Sequence, residues 1–142
     1  TRIKVCGITR VEDAEAAVAA GADWLGINLH PASPRCVELG AAAELLRRAP
    51  RGAGRIAVMV EPTAEALDWA QEAGFEFFQI HARAELAPAT VRGWAELVGA
   101  GKLWLAPKRA PGVAFPAEWL GLAGTFLVDT FHAEGFGGSG RT

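Results

Sequence analysis

What most constrains this chain is a repeat. Short apolar runs rich in Val, Ile, Leu, Phe and Trp occupy residues 3–8, 24–30, 55–60, 77–81, 102–106 and 125–129. They begin about 24 residues apart on average. None alternates cleanly, which is the pattern of strands covered on both faces. Between the first four lie Ala-rich stretches of helical spacing at 11–20, 39–49 and 64–73, and another at 88–100 precedes the fifth. The connection at 107–122 is rich in Pro and Gly and predicts only a short helix near 117–122. Strands and helices alternating at this period imply parallel strands joined by right-handed crossovers.

The punctuation of the helical stretches agrees. Thr9 followed by Glu12 reads as a capping box, in which a hydroxyl and a carboxylate satisfy backbone donors at a helix start. Gly21 and Gly74 fall just past two helices, where a left-handed residue is needed. Pro88 suits a first helical turn. Two architectures satisfy this pattern. An open doubly wound sheet fits within 142 residues, whereas a (β/α)8 barrel usually needs roughly 200 residues or more. Six units occupy the whole chain, so a barrel would be incomplete, and spacing does not choose between the two.

Composition narrows the function. The chain is 51% hydrophobic and 21% charged, with 14 Lys+Arg against 16 Asp+Glu. That balance predicts one globular domain over residues 1–142, with enough apolar side chain for a single core. A net charge of −2 argues against a general nucleic-acid binder, which needs a concentrated basic surface. No apolar run is long enough to span a membrane, and the expectation is no membrane partner. The first residues lack the pattern of a secretory signal. Cys6 and Cys36 do not make a disulfide scaffold and fit a reducing cytoplasm, so a cytoplasmic location is expected.

In a parallel α/β protein, chemistry collects at the C-terminal ends of strands. That rule selects Cys6, the turn from Asn28 to Arg35, Gln79, His81 and Asp129. Each also has a plainer reading. Cys6 has the size of a small buried hydrophobe, and a chemical role would need its thiolate form favoured by positive neighbours or helix N-termini. Asp129 closes an apolar run, where a carboxylate is costly unless hydrogen-bonded or useful, and it also suits the cap of a turn. Arg35 stands in the Pro-rich turn His30-Pro31-Ala32-Ser33-Pro34-Arg35 and has the fork geometry to grip a carboxylate. His81 suits an acid, a base, an orienting donor or a structural role. Cys36 reads as structural, at the start of the second helix.

The tail Gly135-Phe136-Gly137-Gly138-Ser139-Gly140-Arg141-Thr142 has the spacing of a phosphate-binding P-loop with Arg in place of Lys. It follows a sixth strand rather than an early one, and no helix follows it within the sequence. A mobile glycine-rich active-site loop of Gly137, Gly138, Ser139 and Gly140 is the preferred reading. His and Cys are too far apart in sequence for metal-ligand spacing, so no metal is expected.

Taken together, these residues resemble the phosphoribosylanthranilate isomerase family. The resemblance is carried by Lys4-Val5-Cys6-Gly7-Ile8-Thr9, Gly21-Ala22-Asp23, His30-Pro31-x-Ser33-x-Arg35, Gln79-Ile80-His81, Leu127-Val128-Asp129-Thr130 and the tail, which is similar to a GG[ST]GKT loop. The matches run in order from end to end of the chain. The resemblance implies a (β/α)8 TIM barrel, of which about six β-α units are present. It also implies an isomerase of tryptophan biosynthesis that works without metal or cofactor. The implied reaction is an Amadori rearrangement of the small-molecule substrate N-(5′-phosphoribosyl)anthranilate to 1-(2-carboxyphenylamino)-1-deoxyribulose 5-phosphate. By position, Cys6 would be the general base and Asp129 the general acid. Arg35 would hold the anthranilate carboxylate, with Gln79 and His81 as further substrate-binding residues.

Three departures from the family pattern stand out. Ala82, followed by Arg83, takes a position where Gly is common, and Arg141 replaces Lys. The seventh and eighth units, which would carry the phosphate site, are not in the 142 residues. The expectation is therefore a segment of a longer enzyme, by itself without appreciable turnover and with its first and sixth strands as open edges. A dual-substrate phosphosugar isomerase is the rival enzyme, and Cys6 argues against its usual pair of Asp residues. The alternative of another class is a non-catalytic module that completes its sheet through a partner chain. A homodimer is entertained, although the sequence does not fix the oligomeric state.

Overall fold

The computed structural model describes residues 1–129. Thr130, the glycine-rich loop residues Gly137, Gly138, Ser139 and Gly140, and Arg141 therefore lie outside the described residues. Strands and helices alternate as β1 (Lys4–Cys6), α1 (Val11–Ala19), β2 (Trp24–Asn28), α2 (Leu39–Arg48), β3 (Gly54–Val60), α3 (Ala64–Glu72), β4 (Phe77–Arg83), α4 (Pro88–Val98), β5 (Leu103–Lys108) and β6 (Thr125–Phe126). Single 3-10 turns at Ala100–Lys102 and Ala117–Trp119 lead into the last two strands. No described helix is long and apolar enough to cross a membrane.

All the strands are parallel and stand in the sheet in chain order, β1-β2-β3-β4-β5-β6. A doubly wound sheet reverses its order at a switch point. Here each new strand is added to the same side of the last, which is the order of a barrel. Among the described residues β1 and β6 are the two edges.

Side-chain contacts across the sheet show that it is curled. Lys4 on β1 donates from Nζ to Gln79 Oε1 on β4 at 2.6 Å. The rings of Trp24 on β2 and Trp104 on β5 meet edge to face at 5.0 Å between centroids. Either pair is three strands apart, which in a flat sheet is roughly 14 Å, too far for perpendicular side chains to bridge. The inner face must therefore be strongly concave. It holds a small apolar cluster of Ile56, Val58 and Trp104 with Trp24, Phe77 and Leu127 packed against it. The opposite face carries the main core, where Leu25, Ile27, Phe78, Ile80, Leu103 and Leu105 pack against the helices. The fold is thus of the (β/α)8 type, with six of its strands among the described residues.

The helix boundaries follow local chemistry. Gly21 and Gly74 have φ of 90° and 97°, as expected for residues just past α1 and α3. Pro88 begins α4. Thr63 caps α3, its Oγ1 accepting from Ala66 N at 3.2 Å. The predicted capping box at Thr9 does not form. The residue preceding α1 is Arg10, which makes no cap bond and instead forks onto Asp13. Cys36 is also placed differently from expectation: it forms an isolated parallel bridge with Asn28, ahead of α2. Of the apolar run at 125–129, only Thr125 and Phe126 belong to the strand.

Candidate active site

The rim formed by the C-terminal ends of the strands is built from β1 outward. Cys6 ends β1, and Gly7 follows with φ of 84°, a conformation open to glycine and strained for other residues. The turn is held because Gly7 N and Ile8 N both donate to Gly26 O, at 2.9 and 3.0 Å. A second constraint falls on Gly7. A Cβ there would stand 2.7 Å from Arg35 Cζ, so the guanidinium lies against the bare glycine backbone. From that position Arg35 Nη1 donates to Cys6 O at 3.0 Å.

Arg35 reaches this place because its loop is tied at several points. Asn28 Oδ1 accepts from His30 N at 2.9 Å, and Ser33 Oγ accepts from Arg35 N at 3.2 Å. Ser33 N donates to His30 O, Cys36 N to Ser33 O, and Val37 N back to Asn28 O. The structure thus brings Arg35 and Cys6, which are far apart in sequence, into one cluster. Both side chains reach solvent.

Gly26, beside Cys6 in the β1–β2 register, supplies room for a third group. Lys4 Nζ and Cys6 Sγ each lie 3.1 Å from the point a Cβ of Gly26 would occupy. Ammonium and sulfur are therefore within about 6 Å of each other. From there Lys4 reaches Gln79, which is buried, and Gln79 Nε2 lies 2.8 Å from His81 Nε2. Sequence reasoning assigned Lys4 no role. Its spacing, two residues before Cys6, gives it the side of the pleat that Cys6 has, but not which face of the sheet that is.

His81 is mostly buried, and that burial lowers its pKa below the usual histidine value. Asp129 opposes the shift, while Lys4 and His30 reinforce it. Asp129, Lys4 and His30 thus all bear on this one imidazole. Asp129 stands beyond the end of β6 and is exposed, lining a small cleft with Pro107, Arg109 and Phe115. The expected cost of a carboxylate closing a buried strand does not arise, because the ladder ends before it.

Ala82 and Arg83, where the sequence departs from the family pattern, are accommodated apart from this cluster. Ala82 is fully buried on the helix side of β4, where its methyl adds to the core. Arg83 forks onto Glu61, with Nε–Oε1 at 2.9 Å and Nη2–Oε2 at 2.8 Å. The same contact holds the Glu61 carboxyl below the usual carboxylate range.

Comparison with known proteins agrees with the fold. The family model described as N-(5'phosphoribosyl)anthranilate (PRA) isomerase matches residues 3–99. The N-(5'-phosphoribosyl)anthranilate isomerase of Chlorobaculum parvum is 36% identical over 148 residues, covering 100% of this chain and 64% of that protein. The enzyme of the same name from Aquifex aeolicus is 30% identical over 143 residues, covering 99% of this chain and 66% of that protein. The crystal structure of phosphoribosyl anthranilate isomerase from Thermus thermophilus superposes with a TM-score of 0.74 at 34% identity, over 94% of this chain and 64% of that one. A phosphoribosyl anthranilate isomerase in complex with reduced 1-(o-carboxyphenylamino)-1-deoxyribulose 5-phosphate gives a TM-score of 0.67 at 30% identity, over 78% of this chain and 55% of that one. The chain spans a little under two thirds of the first of these relatives. With the barrel-order sheet and the family match in agreement, the chain belongs to the N-(5′-phosphoribosyl)anthranilate isomerase family.

Proposed function

We propose that the protein to which this chain belongs isomerises N-(5′-phosphoribosyl)anthranilate to 1-(2-carboxyphenylamino)-1-deoxyribulose 5-phosphate, by general acid and base catalysis. The observation that carries the reading is the Arg35 guanidinium held against Gly7 and bonded to Cys6 O, a carboxylate-binding group beside a candidate base. Family membership supplies the substrate class.

The reaction moves protons without net oxidation. Asp129 gives a proton to the furanose oxygen, the C1′–O bond breaks, and an iminium ion forms with the anthranilate nitrogen. Cys6 then takes the proton from C2′, and the enolamine that results collects a proton at C1′ as the C2′ hydroxyl becomes the ketone. Arg35 holds the anthranilate carboxylate through both steps by a two-pronged hydrogen bond. Lys4 and Gln79 support His81 from within the concave face.

Arg35 is tested by binding. The reduced product analogue, 1-(o-carboxyphenylamino)-1-deoxyribulose 5-phosphate with its ketone reduced, is expected to saturate the natural full-length protein in calorimetry. Arg35→Ala should weaken that binding by roughly 10- to 100-fold, the range for a charged hydrogen bond lost, and should raise KM more than it lowers kcat. Absence of saturable binding by the folded wild-type protein overturns the substrate assignment. Equal affinity of the Arg35→Ala variant overturns the role of Arg35.

A further inference from the structure

We infer that Lys4 is a positioning residue which, through the Gln79 amide, holds His81 as the neutral imidazole with its proton on Nδ1. A lysine ammonium has donors and no acceptor, so the amide atom 2.6 Å from Lys4 Nζ must be the oxygen. That leaves the amide nitrogen, which can only donate, 2.8 Å from His81 Nε2. Nε2 must therefore accept, and a neutral imidazole with a lone pair on Nε2 carries its hydrogen on Nδ1.

Lys4 decides the direction. Without it, the Gln79 amide has two orientations of comparable merit toward a histidine, one for each tautomer. With it, the flipped amide would set an NH2 against an ammonium inside the concave face. Gln79 is only 4% exposed, so water offers little compensation for the mismatch. Protonating His81 would align ammonium, amide and Nε2–H so that the last two are donors facing each other. The low basicity of His81 agrees in sign. Burial, Lys4 and His30 disfavour its charged form, and Asp129 is the opposing charge.

The assignment gives His81 a defined role in the proposed isomerisation, and in that respect it rests on that reading. His81 presents a single N–H, at Nδ1, and leaves the exchange of protons to Cys6 and Asp129. The tautomer itself depends on no substrate.

Histidine-selective nitrogen-15 labelling of the natural full-length protein, read by long-range proton–nitrogen correlation, tests the inference directly. His81→Asn identifies the signals. The wild-type protein is expected to show a protonated Nδ1 and a bare Nε2. Lys4→Met should release the amide, bring in the Nε2–H form, and move the His81 titration upward as a nearby cation is lost. Gln79→Glu, whose carboxylate only accepts, should invert the tautomer to Nε2–H, and it serves if Lys4→Met does not fold. A wild-type protein with Nε2–H overturns the inference, as does an unchanged Nδ1–H form in Lys4→Met or in Gln79→Glu. A protein with the expected tautomer and no isomerase activity would contradict the function and leave the relay standing; an active protein with Nε2–H would do the reverse.

Discussion

Asp129→Asn in the natural full-length protein is expected to lower kcat by roughly 10²- to 10⁴-fold, the contribution of a positioned general acid. An amide cannot give up the proton that opens the furanose ring, yet it keeps the size and shape of the carboxyl. Asp129 is exposed and lies beyond the last ladder residue, so the fold has little to lose by the change. The thermal transition should stay near that of the wild type, and KM should change much less than kcat. The same substitution removes the negative charge that opposes burial at His81, so the His81 titration should move down. Normal turnover would return Asp129 to a role in the local turn.

Cys6→Ser is expected to be comparably damaging, again by roughly 10²- to 10⁴-fold in kcat. Sulfur and oxygen differ little in size, but a serine hydroxyl is far harder to ionise than a thiol and so cannot supply near neutral pH the anionic base that a thiolate provides. The paired control is Cys36→Ser, which should be nearly silent because Cys36 joins the Asn28 bridge and the Arg35 loop through its backbone, which the substitution keeps. Iodoacetamide should inactivate the wild-type protein at a rate that substrate suppresses, since Cys6 is exposed whereas Cys36 is half-buried. A Cys6→Ser variant with wild-type kcat would remove the base from the mechanism.

The repeat of apolar runs and Ala-rich stretches made the alternation of strands and helices legible, because each run has to be buried and each crossover needs a helix. Strand order was not legible from spacing. A doubly wound sheet has the same period, and only the sequential register and the contacts of Lys4 with Gln79 and Trp24 with Trp104 exclude it. Glycines past helix ends were readable, since φ near 90° at Gly21 and Gly74 is a local demand. The start of α1 was not, because the Arg10–Asp13 pair competes with the capping box that Thr9 and Glu12 spell. Asp129 read as the end of a buried strand because Phe126, Leu127 and Val128 precede it, although the strand ends at Phe126 and the last backbone bond to β5 is made by Leu127 N.

Cys6 and Arg35 were legible as residues and as a family pattern, but their meeting depends on a bare Gly7 in a left-handed conformation. Lys4 escaped notice for a related reason. A strand covered on both faces shows no alternation, so nothing in the run marks which side chains point into the concave face. The lysine becomes informative only when the curl sets it against Gln79.

The proposed function makes Cys6 and Asp129 the base and acid with which the natural full-length protein would convert N-(5′-phosphoribosyl)anthranilate. Its most direct test is product formation by the natural full-length protein, followed by chromatography against authentic 1-(2-carboxyphenylamino)-1-deoxyribulose 5-phosphate, with Cys6→Ser and Asp129→Asn run beside it. The account predicts complete conversion by the wild-type protein and, from each folded variant, a rate lower by roughly 10²-fold or more. Substrate left unconverted by the folded wild-type protein, or conversion at the wild-type rate by either variant, would contradict it.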